Sequence, residues 1–406
     1  MSIKLRRSIG LTGLVFYGVG TMVGGGIYAL LGKVVGEGGS FAPWSMLLAG
    51  VMAIFSALTF AELSSRFPFS GGPAKYITEA FNNKILGSLF GWLVIATGVV
   101  SAATLTVAMS GFFLELLNLP AAIGKPIVVV TLLILACWGI KQSVTAVAIV
   151  TLIEVAGLML VIGINSDSIS ISNFDVSVYV PSAEPIIWSG IIAGSFIAFY
   201  AFIGFEDMVA LAEEVKASEK NLPKAIVISL VITLLLYLAI SFIAVMSTDL
   251  PAFVSSNTPM AHLVKSSTWL SPQVLVMISL LAGFNGALVQ VIMASRILYG
   301  MANEKQAPRI FSRLSEKSQT PLIASFMIAV ILLMLAMFIE LLVLAKLTSG
   351  IILFVFAGMN VSLIKLKLGQ VEHHGFNVPF FVPVVGFVVS VGSLLFALLA
   401  SNGGGH

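Results

Sequence analysis

Residues 18–28 read GVGTMVGGGIY and place three consecutive glycines inside an apolar stretch long enough to cross a lipid bilayer. Each glycine in a helix interior costs about 1 kcal/mol relative to alanine. A helix broken at membrane depth persists only where its free backbone groups line a cavity or are buried in protein. The stretch therefore predicts a binding site, with N–H groups for an anion and carbonyls for a cation. A zwitterion would satisfy both.

The composition indicates a membrane protein, since 58% of the 406 residues are hydrophobic and only 10% are charged. Apolar runs of about 20 residues, the length that a helix needs to span a bilayer, predict an all-α membrane protein with eleven transmembrane helices. They lie at 11–35, 41–65, 86–117, 121–140, 143–164, 186–212, 223–246, 272–302, 321–339, 342–364 and 378–400. The whole chain, 1–406, is expected to form one transmembrane domain.

The basic residues predict the orientation in the membrane. With a cytoplasmic N-terminus, 17 of the 21 lysines and arginines fall on the cytoplasmic side and four fall outside. Such a bias follows the positive-inside rule. We therefore expect a multi-pass protein of the cytoplasmic membrane, with the lipid bilayer as its partner and the C-terminus outside. The net charge of +3 reflects this topology and gives no reason to expect nucleic-acid binding.

A second interruption lies about 180 residues after the first. The stretch SFIAFYAFIGFEDM, residues 195–208, carries Gly204, Glu206 and Asp207 inside the sixth apolar span. Two helices broken at corresponding positions are the best sequence indication of inverted repeats with a substrate held between the breaks. The sequence thus predicts a first repeat at 11–164, a second repeat at 186–364 and an additional helix at 378–400.

Four blocks resemble, in order, motifs of the amino acid, polyamine and organocation (APC) transporters. They are GTMVGGGIY (20–28), TFAELSSRFPFSGGPAKYITEAF (59–81), AFIGFEDMVALAEEVKASEKNLPKAI (201–226) and RILYGMANEKQAP (296–308). The chain is similar to bacterial or archaeal amino acid permeases of this superfamily. The resemblance implies a five-plus-five inverted-repeat transporter with broken helices 1 and 6, which moves substrate by alternating access. Family members commonly have twelve spans, and this chain has eleven predicted ones.

The resemblance also implies, position by position, which residues hold the substrate: Met22, Gly24, Gly25, Gly26, Tyr200 and Ile203. The N–H groups of the three glycines would hold a carboxylate, and the carbonyls of the other three residues would hold an ammonium group. Tyr200 would also cover the substrate as an aromatic gate, although an aromatic residue that only packs between helices is the alternative. The small and apolar residues nearby favour a neutral amino acid.

Glu154 is an ionisable residue in the middle of the fifth predicted span, where such residues are unfavourable and usually functional. Many family members carry a lysine at this place, so the sign of the charge is reversed here. Proton uptake and release is the first interpretation, which makes a proton the expected coupling ion. Ligation of sodium, neutralisation of a cationic substrate and a packing role are the alternatives. We expect no organic cofactor and no metal centre.

Three further carboxylates have two interpretations each. Glu62 and Arg66 lie four residues apart on one helical face and could form a cytoplasmic gate pair, or they could simply be solvated at a helix end. Glu206 and Asp207 follow the second break and could belong to an inner gate or line a water-filled vestibule.

Other classes of function are less consistent with the residues. The four histidines lie in loops or in the tail, and neither H-E-x-x-H nor G-x-S-x-G occurs, so we do not expect an enzyme. Two broken helices favour a gated site over a channel. Among carriers, two alternatives stay open. One is an amino acid exchanger, and the other is a polyamine or amine transporter that uses Glu154 and Asp207 as ammonium partners.

Overall fold

The computed structural model describes residues 7–68, 72–138, 144–166, 180–247, 249–268, 270–315, 318, 320–370 and 373–403. This part of the chain is helical apart from short connections. Its helices are α1 (Leu11–Gly38), α2 (Ala42–Arg66), α3 (Gly72–Phe81), α4 (Lys84–Leu117), α5 (Ala121–Trp138), α6 (Val144–Ile164), α7 (Pro185–Phe199), α8 (Ser218–Ser247), α9 (Leu250–Ser255), α10 (Pro259–Leu263), α11 (Pro272–Asn303), α12 (Leu322–Phe338), α13 (Leu341–Leu368) and α14 (Phe381–Gly403).

Each predicted span coincides with one of the long helices, with α7 and its continuation forming the sixth. In the described residues, nine segments are long and apolar enough to cross a membrane, and the first of them, Leu11–Arg66, contains both α1 and α2. Helix α12 is apolar but only 17 residues long. The fold class is confirmed as an all-helical membrane protein, while the number of eleven crossings and the repeat boundaries stay predictions. The ten-residue α3 was not predicted, and the short α9 and α10 lie between predicted spans.

Both predicted helix breaks are present. In α1 the helical conformation is interrupted at Gly24, where φ is −12° and ψ is −156°. The sixth span ends its α-helix at Phe199 and continues as a 3-10 turn, Tyr200–Phe202. Gly204 then takes φ of +133°, a conformation that favours glycine, before a second 3-10 segment, Phe205–Leu211. The breaks leave backbone groups of both segments outside regular helical hydrogen bonding.

Helix α1 lies at the centre of the fold and packs against α6, α7, α8 and α11. By contrast, α5 and α14 leave most of their apolar side chains at least partly exposed, as lipid-facing helices do. Close approach at the centre depends on small residues. A Cβ atom on Gly25 would lie 2.8 Å from Gly283 Cα of α11 and 2.6 Å from Leu105 Cδ2 of α4. Glycine at position 25 therefore permits the contact between α1 and α11.

The two broken segments are also joined at one end by main-chain hydrogen bonds. The N–H groups of Ser8 and Ile9, just before α1, donate to the Glu214 carbonyl at 2.9 and 3.1 Å, and the Lys216 N–H donates to the Ile9 carbonyl at 2.9 Å. Ile9 and Val215 thus form an isolated parallel β-bridge. Nearer the breaks, the Thr21 hydroxyl lies 3.1 Å from the Gly204 carbonyl oxygen.

Candidate functional site

A buried cavity lies between the two helix breaks and is completed by α4 and α11. Its lining residues are Thr21, Met22, Gly24, Gly25, Gly26, Ser101, Leu105, Tyr200, Ile203, Asp207, Gly286, Val289 and Gln290. The cavity volume is about 20 Å³, which is room for about one water molecule. An amino acid would require the surrounding side chains to move apart, so the site is contracted in this structure.

All six residues predicted to bind substrate line this one cavity. The three glycines approach it from the α1 break, and Tyr200 and Ile203 approach from the other break. The structure therefore brings together residues that are almost 180 positions apart in the chain. Their role in binding stays a prediction, because proximity alone does not identify a ligand.

The carbonyls assigned to the ammonium group are partly engaged already. The Tyr237 hydroxyl of α8 lies 2.7 Å from the Met22 carbonyl oxygen and 2.9 Å from that of Ala201, and it can donate to one of them at a time. The Ile203 N–H donates to the Tyr200 carbonyl at 3.2 Å. Each carbonyl oxygen has two lone pairs, so acceptor capacity remains. Tyr237 connects both breaks, a role that the sequence analysis did not assign to it.

Tyr200 is anchored to α4 at the side of the cavity. Its hydroxyl donates to the Ser101 carbonyl at 3.0 Å and lies 3.0 Å from the Ser101 hydroxyl. The ring lies next to Gly26, whose added Cβ would be 3.4 Å from Tyr200 Cδ1. The hydroxyl is thus held by both the carbonyl and the hydroxyl group of Ser101, and the role of Tyr200 as an aromatic gate stays a prediction. Ser101 was not identified from the sequence.

The two carboxylates after the second break, Glu206 and Asp207, are buried. The Glu206 side chain accepts a hydrogen bond from the Gly204 N–H at Oε2, 2.9 Å away, and so holds the backbone of the break itself. Asp207 lines the cavity, is 3% exposed and accepts from Gln290 Nε2 at 3.0 Å. Their assignment to an inner gate stays a prediction.

Glu154 lies on α6, fully buried and outside the cavity lining. The sequence suggested that it stands alone, but Asn285 of α11 donates to its Oε1 at 3.4 Å, and the Tyr28 hydroxyl donates to its backbone carbonyl. Its other carboxyl oxygen has no hydrogen-bond partner among the described residues. Glu154 therefore contacts α1 through its backbone carbonyl and α11 through its carboxyl group.

Glu62 is the centre of a buried ionic cluster, so the interpretation as a solvated helix end is wrong. Its Oε1 lies 2.7 Å from Arg66 Nη2, and its Oε2 lies 2.9 Å from Lys367 Nζ at the end of α13. The Val378 N–H also donates to Oε2 at 2.8 Å. The cluster thus holds α2, α13 and the segment before α14 together. The gate function predicted for the pair of Glu62 and Arg66 is untested.

Ser65 of α2 holds the same segment by neutral hydrogen bonds. The Ser65 hydroxyl accepts from the Phe376 N–H at 3.1 Å, donates to the Glu219 carbonyl at 2.9 Å and lies 3.2 Å from His373 Nε2. Partial burial, together with the positive charge of Arg66, lowers the pKa of His373. The lowered pKa favours the neutral imidazole of His373 beside the cluster.

An all-helical membrane chain with two broken helices around a buried cavity defines a class, the multi-pass transport proteins with a small-molecule site at the breaks. A family model described as amino acid permease matches residues 9–405. The chain belongs to this family, which lies within the APC superfamily that its motifs resemble.

Three relatives illustrate the family. The chain is 30% identical to cationic amino acid transporter 4, vacuolar, of Arabidopsis thaliana, over 90% of this chain and 64% of the relative. It is 25% identical to the branched-chain amino acid permease BcaP of Bacillus subtilis, over 90% and 82% of the two chains. It is 26% identical to the methylthioribose transporter of the same organism, over 98% and 89%. The chain spans less than two thirds of the length of the Arabidopsis relative. These names are those of transporters and permeases, not enzymes, as predicted.

Proposed function

We propose that this chain is a secondary active transporter that moves amino acids across the cytoplasmic membrane by alternating access around the cavity at the helix breaks. The observation that carries the proposal is the convergence of Gly24, Gly25 and Gly26 from one break and of Tyr200 and Ile203 from the other on one cavity. Backbone N–H groups and carbonyls that are freed at such breaks match the two charged groups of an amino acid. The cavity is too small for an amino acid unless its walls move, which supports a carrier with alternating access over an open channel.

The lining favours a neutral amino acid, with a cationic substrate as the second candidate. Leu105, Val289 and Gly286 are apolar or small, and one relative is named as a branched-chain amino acid permease. The Asp207 carboxylate in the same cavity favours an amine or a cationic amino acid, and another relative carries the name of a cationic amino acid transporter. Thermal unfolding of the detergent-solubilised protein with neutral amino acids, basic amino acids, amino alcohols and diamines would separate the candidates.

Glu154 is proposed to couple transport to a proton. A buried carboxyl group without a counter-charge is more stable as the neutral acid, and in the described residues no lysine or arginine forms an ion pair with it. Movement of α1 against α6 and α11 between access states would change its contacts and its hydration. Proton uptake in one state and release in the other would then drive accumulation. Sodium is the alternative coupling ion.

The coupling is tested by uptake into proteoliposomes under imposed pH or sodium gradients. An inward proton gradient should drive accumulation, and Glu154→Gln should keep equilibrium binding while removing the pH dependence of uptake. Exchange of internal for external substrate should survive in this variant. Glu115→Gln, at an exposed carboxylate near the end of α4, is the matched control and should behave as the wild type. Sodium-driven accumulation that ignores pH, or an unaltered pH response of Glu154→Gln, would contradict proton coupling.

A further inference from the structure

Only one of the two carboxyl oxygens of Asp207 has a hydrogen-bond partner among the described residues. Gln290 Nε2 donates to Oδ2 at 3.0 Å, while Oδ1 is buried and has no hydrogen-bond partner among the described residues. An ionised carboxylate can accept about four hydrogen bonds, and a buried unpaired charge is strongly unfavourable. The described residues form no ion pair with Asp207. The residue therefore lacks a positive partner on the wall of a cavity proposed to receive a substrate.

The hydrogen bond from Gln290 places the Asp207 carboxyl group beside α11. Gly286 and Gln290 both line the cavity, and they are one turn apart on α11, a rise of about 6 Å. An added Cβ on Gly286 would lie 3.7 Å from the Gly25 N atom, so the glycine break lies beside the first of these two positions. The cavity thus has the glycine backbone beside Gly286 and the Asp207 carboxyl group beside Gln290.

We propose that Asp207, oriented by Gln290, determines specificity by pairing directly with an ammonium group of the transported substrate. The pairing would supplement the backbone carbonyls of the breaks, whose acceptor capacity is partly used by Tyr237 and by the Ile203 N–H. The proposal rests on the proposed transport function. It identifies the recognised chemistry as an alkylammonium cation, which an amino acid carries at its α-carbon and a basic amino acid or diamine carries also at the end of its side chain.

The test measures how tightly the full-length protein binds pairs of probes, where the two members of a pair differ by one ammonium group. Leucine is paired with 4-methylpentanoate, and lysine with 6-aminohexanoate, which lacks the α-ammonium; 1,5-diaminopentane has no carboxylate. Asp207→Asn keeps the shape of the side chain and removes its charge. Asp249→Asn makes the same change at an exposed residue before α9 and is the control. Thermal unfolding without ligand establishes that each variant is folded, and Asp207→Ser replaces the asparagine variant if that one does not fold.

We expect Asp207→Asn to weaken binding of the recognised probe by about tenfold or more, the effect of losing a charged hydrogen bond. If the α-ammonium is recognised, leucine and lysine both weaken and their preference over the deaminated analogues shrinks. If the side-chain ammonium is recognised, lysine, 6-aminohexanoate and the diamine weaken and leucine does not. A purely structural role of Asp207 would leave the preference of each ammonium-bearing probe over its analogue unchanged. That result would overturn the proposal. Wild-type affinity of Asp207→Asn for every ammonium-bearing probe would overturn it as well. Failure of the wild type to bind or transport any probe would instead refute the proposed function.

Discussion

Tyr237 shows how one side chain can hold an interrupted site together. Its ring is fully buried in α8 and packs edge-on against Phe202, with ring centroids 5.0 Å apart. Its hydroxyl reaches carbonyls at both breaks, at Met22 and at Ala201. Backbone carbonyls that have left a helix need a partner when they are buried. The tyrosine supplies this partner in this structure, and it also limits how far the two breaks can separate.

Replacing Tyr237 by phenylalanine should therefore destabilise the protein by about 1–3 kcal/mol, because one buried carbonyl loses its donor. Amino acid binding should weaken as well, since the two breaks are no longer held in one geometry. The measurement is thermal unfolding in detergent with and without substrate. Tyr76→Phe is a matched control, because the buried Tyr76 hydroxyl has no hydrogen-bond partner among the described residues. Equal unfolding temperatures for the two variants would contradict the role of Tyr237.

At the level of elements, the segment between α13 and α14 depends on contacts far away in sequence. Val378 and Phe376 donate their N–H groups to Glu62 and Ser65 of α2, and Lys367 also donates to the Val378 carbonyl at 2.6 Å. The connection is thus attached to α2 by its backbone as well as by charge. Because α2, α8 and α13 all contribute, displacement of any of them would strain the same small cluster.

Glu62→Gln should loosen this segment, since it leaves two positive charges near each other and weakens the acceptor for the Val378 N–H. Amide hydrogen exchange, followed by mass spectrometry, should show faster exchange in peptides that cover 373–380. Glu79→Gln removes the partner of Lys75 in an exposed pair on α3, where ion pairs contribute little, and should leave this exchange unchanged. Unaltered protection in Glu62→Gln would show that the cluster does not hold the segment.

The elements differ in how well sequence could predict them. The long helices follow from apolar runs of bilayer length, and the breaks follow from Gly24–26 and Gly204, where local sequence is unfavourable for a helix. The sequence did not indicate that Tyr237 contacts the helix breaks. Because α8 is apolar on all sides, its pattern does not show which neighbouring helix a tyrosine in it faces. In the sequence, Lys367 is one of many predicted cytoplasmic charges, yet it forms an ion pair with Glu62, which lies 305 positions earlier. The orientation of Asp207 towards the cavity also depends on the irregular backbone after Gly204, which residue spacing does not specify.

For the whole molecule, the charge distribution predicts a cytoplasmic N-terminus, and this can be measured. Lys220 and Lys265 are exposed on opposite predicted sides, so each can be replaced by cysteine in a Cys137→Ser background. A membrane-impermeant maleimide applied to intact bacterial cells should label Lys265→Cys and not Lys220→Cys, while both should react after the membrane is permeabilised. Labelling of Lys220→Cys alone in intact cells would show that the orientation is opposite to the predicted one.

The β-bridge between Ile9 and Val215 has a consequence for biogenesis. Ser8 and Ile9 leave the ribosome about 200 residues before their partners in the connection that precedes α8. At about 5–20 residues per second, this interval is on the order of 10–40 s. During it, the glycine break of α1 also lacks Tyr200, Tyr237 and Gly283, which are all synthesised later. We therefore expect the first transmembrane segment to remain unassembled in or near the insertion machinery until the second half of the chain arrives.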